Sequence, residues 1–154
     1  MIAPPTKAPV IDQAPGRRVL YQHFLVTMEE LPRTIQRSIA ALYERITHSG
    51  IVPAGPPFVT YHSATAPWEV DICAPVATPI TPHNDFNYVE LPATRVVSLV
   101  HVGPYEQLGR TYDEIESFIR ERGLRKNGPP REIYLSLPNT PSDQIQTIVE
   151  WPIE

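Results

Sequence analysis

The residues best suited to chemistry in this chain are an acid and a phenol that alternate along one predicted strand. In the segment 131–137, Glu132 and Tyr134 fall on one face because the side chains of a strand alternate between its two faces. The other face is apolar and suits packing against helices; it carries Ile133, Leu135 and Leu137. A carboxylate among aromatic rings can bind a planar cation, since the rings offer cation–π attraction and the acid a counter-charge. The alternative is a solvated acid beside an ordinary strand tyrosine.

The segment that contains Glu132 repeats an earlier part of the chain. Residues 35–63, shifted forward by 73 positions, align with residues 108–136 without a gap. Tyr61 aligns with the tyrosine of the second copy, but Val59 stands where that copy has Glu132. Duplicated units usually pack about a pseudo-twofold axis, and the seam between them is a natural ligand cleft. We therefore expect one carboxylate and two tyrosines to share a cleft.

Each copy predicts the order strand, helix, strand, strand, in which the last two strands form an antiparallel hairpin. The first helix is indicated by apolar residues at steps of three and four from Leu31 to Ile46. The predicted helices are 30–48 and 105–122, and the predicted strands are 17–26, 58–63, 68–73, 95–102, 131–137 and 144–151. We predict an α+β fold, a tandem duplication with antiparallel sheets, two main helices and a ligand groove between the halves.

Proline punctuates the chain and suggests its boundaries. Nineteen prolines occur among the 154 residues, and many of them cluster near the N-terminus and around 75–92. We expect residues 1–16 to be an extended proline-rich arm. Residues 17–154 are predicted to form a single domain, which consists of module one at 17–76, a linker at 77–93 and module two at 94–154.

Composition and charge disfavour several function classes. The net charge of −4 comes without a run of Lys or Arg, which disfavours direct binding of nucleic acid. The chain has one cysteine, Cys73, so an internal disulfide is excluded and a buried structural thiol is expected. Because the sequence shows neither a targeting signal nor an apolar run of membrane-spanning length, we expect a cytoplasmic protein that does not bind membranes.

Metal and cofactor binding have little support in the sequence. The histidines are separated singly along the chain, as His23, His48, His62, His83 and His101. Glu69 and Asp71 share one face of a predicted strand, and they are expected to be solvated acids or to lie at the mouth of a pocket. We therefore predict no metal site and no cofactor.

Two motifs in the second half of the chain together resemble a known family. His-x-Gly-Pro-Tyr at 101–105 precedes Gly-Pro-Pro-x-Glu-x-Tyr at 128–134, and Val-Glu-Trp-Pro-Ile follows at 149–153. From about residue 17 onward, the sequence resembles the GyrI-like small-molecule-binding family. The same domain forms the effector-binding half of AraC-type and MerR-type multidrug regulators.

The resemblance implies two strand–helix–strand–strand modules around a ligand groove, and hydrophobic, often cationic ligands. It implies that Glu132 is the pocket carboxylate. The aromatic residues that match the walls of the groove are Tyr61, Trp68, Tyr105, Tyr112 and Tyr134. Some stand-alone members resemble hydrolases that open the cyclopropane ring of DNA-alkylating natural products. In that alternative, Glu132 directs water and Tyr61 or Tyr134 acts as the acid.

Two hypotheses of different classes follow from the sequence. The first is a module that senses or sequesters amphipathic, aromatic, cationic small molecules, with Glu132 lacking a partner in the empty pocket. The second is a metal-independent hydrolase of strained electrophiles that uses the same glutamate. The expected partner is a hydrophobic or cationic aromatic molecule, and a second copy of the chain or a separate DNA-binding regulator stays open as a further partner.

Overall fold

The computed structural model describes residues 8–154, and within them the chain forms an α+β fold of antiparallel strands and two main helices, as predicted. Of the expected N-terminal arm 1–16, residues 1–7 lie outside the described residues. The elements, numbered along the chain, are the strands β1 Val10–Ala14, β2 Arg17–Val26, β3 Phe58–Tyr61, β4 Trp68–Pro75, β5 Asn87–Leu91, β6 Thr94–Val102, β7 Arg131–Tyr134 and β8 Gln146–Ile153, and the helices α1 Leu31–His48 and α2 Leu108–Glu121.

The described chain divides into two compact units that contain similar secondary-structure elements. One unit is Pro15–Ala93, in which four antiparallel strands lie in the order β3, β4, β2, β5 beside helix α1. The other unit combines β1 with Thr94–Glu154, and its antiparallel strands lie in the order β1, β6, β8, β7 beside helix α2. Each unit therefore contains one copy of the strand, helix, strand, strand repeat and one additional strand.

Helix α1 packs one apolar stripe against its own strands. Its stripe buries Leu42 and Ile46 completely, and each such side chain contributes about 1.5–3 kcal/mol through burial. Ser38 on the same stripe donates a 2.7 Å hydrogen bond to Oε1 of Gln22 on β2, so α1 covers the face of β2 that carries Gln22. The helix ends before Gly50, whose φ of +69° lies in the left-handed region that glycine adopts without strain.

Helix α2 covers the second unit in the same way. A short 3-10 helix, Tyr105–Gln107, leads into it, so the α-helix begins three residues later than predicted. The buried core under α2 consists of Val97, Leu99, Leu108, Ile115, Ile119, Val149 and Ile153. No helix within residues 8–154 has the length and apolar character that crossing a membrane requires.

Two strands were missed by the sequence prediction. Strand β5 lies inside the predicted linker 77–93 and pairs with β2, where Val89 is opposite Val19. Strand β1 lies inside the predicted arm 1–16 and pairs with β6, where Ile11 is opposite Val97. Both strands are short and border prolines, so proline density hid the β-branched residues that favour extended pairing.

The predicted faces of strand 131–137 were reversed. In the structure, Glu132 is directly opposite Val149 of β8, which belongs to the core under α2, so Glu132 lies on the helix-covered face. Ile133 lies on the other face, opposite Ile148. The strand also ends at Tyr134 rather than at Leu137, which is 79% exposed. Alternation distinguishes the two faces of a strand, but it does not say which face a helix covers.

Candidate functional site

The carboxylate of Glu132 is buried and held by two phenols. The residue is only 7% exposed. The hydroxyl of Tyr112 on α2 donates a 2.7 Å hydrogen bond to Oε2, and the hydroxyl of Tyr134 on β7 donates a 3.0 Å hydrogen bond to Oε1. The expectation of an acid without a partner was therefore wrong. Burial of a carboxylate is costly unless hydrogen bonds compensate it, and the two phenols supply that compensation.

Two further aromatic rings contact the two phenols within the same unit. The ring of Tyr105 meets that of Tyr134 edge to face, with the centroids 5.7 Å apart. Tyr112 meets Trp151 in the same way at 6.2 Å. Burial raises the pKa of Tyr105, and the negative charge of Glu132 raises it further. The site thus joins one acid to four aromatic side chains, and we call these five residues the Glu132 cluster.

Local backbone features place the two tyrosines and the acid. Gly128 begins the Gly-Pro-Pro turn before β7 with a φ of +144°, and a Cβ there would lie 3.6 Å from the side chain of Pro152. That distance is an ordinary contact, so glycine is required here for the positive φ with which the chain enters the short strand that carries Glu132. Tyr112 lies one turn before Ile115 on α2, and core packing of that helix directs the phenol toward β7.

A buried histidine fixes the segment that carries Tyr105. Nε2 of His101 donates a 3.1 Å hydrogen bond to the carbonyl oxygen of Pro104, because a carbonyl can only accept. Nδ1 of the same ring lies 2.8 Å from Oγ1 of Thr111 on α2 and accepts the hydroxyl proton in this tautomer. His101 therefore links the end of β6, the entry to the 3-10 helix and α2.

Trp151 belongs to the Glu132 cluster, although the sequence analysis did not assign it to the site. Its Nε1 donates a 3.0 Å hydrogen bond to the carbonyl oxygen of Gly128. The ammonium of Lys126 lies 3.9 Å from the centre of its ring and also forms a 2.7 Å ion pair with Glu116. Alternation along β8 could have placed Trp151 beside α2, but the sequence pointed to it only as part of the C-terminal family motif.

Two of the predicted aromatic residues come from the first copy of the repeat and lie in the Pro15–Ala93 unit. Tyr61 at the end of β3 and Trp68 at the start of β4 meet edge to face, with the centroids 5.7 Å apart. Val59, which occupies the repeat position of Glu132, is fully buried in this unit. The Pro15–Ala93 unit therefore keeps the aromatic character of the repeat and replaces the acid by an apolar side chain.

The opposite face of β7 carries a buried ion pair that sequence reasoning missed. Nε of Arg131 lies 3.2 Å from Oε1 of Glu150, and both side chains are buried. The two residues are directly opposite in the ladder between β7 and β8. Because each charge is held by its neighbour, the pair joins the two strands, and Arg131 is on the other side of β7 from Glu132.

Two histidines that the sequence analysis treated as isolated come together in the Pro15–Ala93 unit, so that interpretation was wrong for them. His23 and His62 both contact the carboxylate of Asp71, at 2.6 Å and 2.8 Å. The ligand-capable atoms of the three residues all lie within 4.8 Å of one another. Sequence spacing hid this cluster because the residues come from different strand segments.

The comparisons with known proteins agree with this fold. No curated protein matches the sequence. The C-terminal domain of EcmrR has 20% identity and a TM-score of 0.80, over 95% of this chain and 96% of that domain. In the EcmrR–DNA complex of EcmrR-RPo, the identity is 19% and the TM-score is 0.85. The match covers 95% of this chain and 57% of that longer EcmrR chain.

Two further solved structures share the architecture. A hydrolase from Listeria innocua is 20% identical, with a TM-score of 0.73 over 98% of this chain and 94% of that chain. The protein SAV2435, in a structure bound to tetraphenylphosphonium, is 13% identical, with a TM-score of 0.58 over 95% of this chain and 93% of that chain. These identities show a common fold. The family model for the GyrI-like small molecule binding domain matches residues 7–154, and the chain therefore belongs to the family of GyrI-like small-molecule-binding domains.

Proposed function

We propose that this chain binds amphipathic aromatic cations at the Glu132 cluster and serves to sense or sequester them. The observation that carries the proposal is the buried carboxylate of Glu132 between the phenols of Tyr112 and Tyr134. A cation that reaches this acid gains a counter-charge in a medium of low dielectric, where the attraction is stronger than in water. The surrounding rings add contact area and cation–π attraction.

Tyr134 is the residue of the cluster that we expect to move when a ligand enters. Tyr134 is partly exposed and contacts Tyr105, which is itself exposed to solvent over nearly half its surface, 46%. Tyr112 extends from the core side of α2. We infer that a ligand displaces the Tyr134 hydroxyl from Oε1 of Glu132, while Tyr112 continues to hold Oε2. The aromatic ring of Tyr134 then serves as a contact surface for the ligand.

The family and one structural neighbour support this class of ligand. The family to which the chain belongs binds small molecules. SAV2435, which shares the fold, was solved with tetraphenylphosphonium, whose four phenyl groups surround a positive phosphorus centre. That molecule is the type of ligand that an acid among aromatic rings favours, so it is a suitable probe for this chain.

Isothermal titration calorimetry with tetraphenylphosphonium and with neutral triphenylphosphine oxide tests the proposal. We expect Glu132→Gln to weaken binding of the cation by about tenfold or more, equivalent to about 1.4 kcal/mol. Binding of the neutral compound should change much less, because the amide keeps the shape of the acid. Equal weakening of both compounds, or no weakening of the cation, would contradict the proposed role of the charge.

Glu90→Gln is a matched control for that experiment. Glu90 on β5 is exposed and, like Glu132, accepts a tyrosine hydroxyl, since the hydroxyl of Tyr88 lies 2.8 Å from its Oε2. The substitution changes the net charge by the same amount as Glu132→Gln. A comparable loss of affinity in both variants would show that overall charge, rather than the Glu132 cluster, attracts the cation.

A hydrolase is the second candidate function, and the Tyr134–Glu132 hydrogen bond of 3.0 Å is the observation that favours it. With a strained cyclopropane as substrate, Glu132 would accept a proton from water while the water oxygen bonds to one ring carbon. The C–C bond would break, and its other carbon would take a proton from Tyr134. The proton on Glu132 would then return to the Tyr134 phenolate along their hydrogen bond. The Listeria innocua structure described as a hydrolase shares this fold. Mass spectrometry of a cyclopropane-bearing alkylator should then show addition of one water, and loss of that product in Glu132→Gln. Binding without turnover would exclude the reaction.

A further inference from the structure

We propose that His23, His62 and Asp71 form a binding site for a divalent transition metal such as Zn²⁺. The site lies in the Pro15–Ala93 unit, and the residues of the Glu132 cluster take no part in it. Two imidazoles and one carboxylate are a ligand set typical of Zn²⁺ and neighbouring transition metals, whereas Mg²⁺ and Ca²⁺ prefer oxygen ligands.

Strand pairing brings the three side chains to one place. Asp71 is in the middle strand β4, and His23 of β2 is directly opposite it. On the other side of β4, the N–H of His62 donates a 2.8 Å hydrogen bond to the carbonyl oxygen of Glu69, which continues the β3–β4 register by one residue. Residues in this register on three adjacent strands share a face.

That face is the one that α1 leaves uncovered. Gln22, the neighbour of His23 in β2, accepts a hydrogen bond from Ser38 of α1, so His23 points away from the helix. The three side chains are partly open to water, with exposures of 47% for His23, 33% for His62 and 22% for Asp71. An ion can therefore reach the site from solution, and water can fill the remaining coordination position.

The distances suit a small rearrangement around a metal. Nδ1 of His23 lies 2.6 Å from Oδ1 of Asp71, and Nε2 of His62 lies 2.8 Å from Oδ2. Ligand atoms around tetrahedral zinc are about 3.4 Å apart, given metal–ligand bonds of about 2.1 Å. The present hydrogen bonds are shorter than that, and the three ligand atoms lie within 4.8 Å of one another, so an ion requires the carboxylate to move away from both nitrogens and the three atoms to settle about 3.4 Å apart. The three ligands are thus already gathered in one place before an ion binds.

A fourth side chain is placed to orient one of the ligands. Oε2 of Glu69 lies 3.5 Å from Nε2 of His23, which is the ring nitrogen that does not contact Asp71. Metal-binding histidines commonly donate their second N–H to a carboxylate, which fixes the ring and makes the metal-binding nitrogen more basic. Glu69 is therefore a positioning residue for His23. The plainer alternative is that the histidines and acids only form hydrogen bonds that join the strands.

Titration calorimetry with Zn²⁺ distinguishes the two interpretations, with the full chain prepared without a polyhistidine tag. We expect one zinc per chain and a loss of affinity of at least about tenfold in each of His23→Ala, His62→Ala and Asp71→Asn. Glu69→Gln should weaken binding less than these. His48→Ala is the matched control, because His48 is an exposed histidine at the end of α1 and should not affect binding. Zinc affinity that survives all three ligand substitutions, or that His48→Ala removes, would overturn the site.

Absorption spectra with Co²⁺ in place of Zn²⁺ identify the ligands independently. A site with nitrogen and oxygen ligands should give the visible bands of cobalt in low coordination, without the near-ultraviolet band of a cobalt–thiolate bond. Cys73 is the residue that such a band would report, because it lies two residues after Asp71 on the same strand. A thiolate band that Cys73→Ser removes would overturn the assigned ligand set. Circular dichroism of each variant verifies that it is folded.

Discussion

The hydroxyl of Tyr112 donates a 2.7 Å hydrogen bond to Oε2 of Glu132, and this bond joins helix α2 to strand β7. The acid is consequently held in place by the packed helix rather than by a flexible loop. A second phenol, that of Tyr134, comes from the same strand as the acid and is bound at 3.0 Å. The two hydrogen bonds differ in their surroundings, because Tyr112 packs against the buried core and Tyr134 lies near solvent.

Tyr112→Phe tests the structural part of this relationship. Loss of a hydrogen bond to a buried charged group should lower the free energy of unfolding by about 1–3 kcal/mol. Urea denaturation measures the change. Tyr88→Phe is the matched control, because the Tyr88 hydroxyl contacts Glu90 at 2.8 Å on an exposed surface. We expect the control to change stability by less than about 0.5 kcal/mol. Equal changes in the two variants would mean that burial adds nothing to the Tyr112 bond.

The titration of Tyr105 reports the charge of Glu132 from a neighbouring ring. Burial raises the pKa of Tyr105 above its ordinary value of 10.0, and Glu132 raises it further. Glu132→Gln removes the charge and leaves most of the burial, so the pKa of Tyr105 should fall toward 10.0 without reaching it. Carbon-13 NMR of labelled tyrosine rings, recorded against pH, measures this shift.

The same titration has a consequence for stability and an internal control. Because the folded pKa of Tyr105 is raised, its contribution to stability is complete below pH 10.0 and is lost as the pH rises through the folded value. Glu132→Gln should narrow the pH range over which this stability is lost, which runs from 10.0 to the folded pKa of Tyr105. Tyr43, whose pKa burial raises to about 12, belongs to the other unit and should keep its value in the variant. A parallel decrease at Tyr43 would indicate a general loosening of the fold instead.

The repeat allows a test of whether a buried acid requires a hydrogen bond from a phenol on the helix. Val59 occupies the position of Glu132 in the first copy and is fully buried, while Ile39 occupies the position of Tyr112. Val59→Glu should therefore lower the free energy of unfolding by about 3 kcal/mol or more, because it buries a charge without the phenol from the helix. Adding Ile39→Tyr should recover part of the loss. If the single variant is as stable as the wild type, burial at this position has no cost for an acid.

Much of the architecture could be predicted from sequence because its signals are local. The apolar stripe of α1, the glycine after each helix and the β-branched run of β6 each correspond to an observed element. Strands β1 and β5 could not be predicted in this way. Each is five residues long and borders prolines, and each is held by pairing with a distant strand rather than by its own pattern.

The sites show the same limit at the level of side chains. Glu132 and Tyr134 could be chosen because they alternate on one strand, but the hydrogen bond from Tyr112 depends on how α2 packs. The contact of Trp151 with Tyr112 depends on the register of β8. His23 and His62 are 39 positions apart and meet only because β2 and β3 both flank β4. Contacts between elements are fixed by packing and register, which periodicity within one element does not contain.

A crystal structure of the complex with tetraphenylphosphonium would test the role of Glu132 most directly. We predict that the phosphonium lies beside the Glu132 carboxylate, with the Tyr134 hydroxyl displaced from Oε1 and the Tyr112 hydroxyl still bound to Oε2. A cation bound elsewhere on the chain, with both phenol hydrogen bonds to Glu132 unchanged, would contradict the proposed binding site.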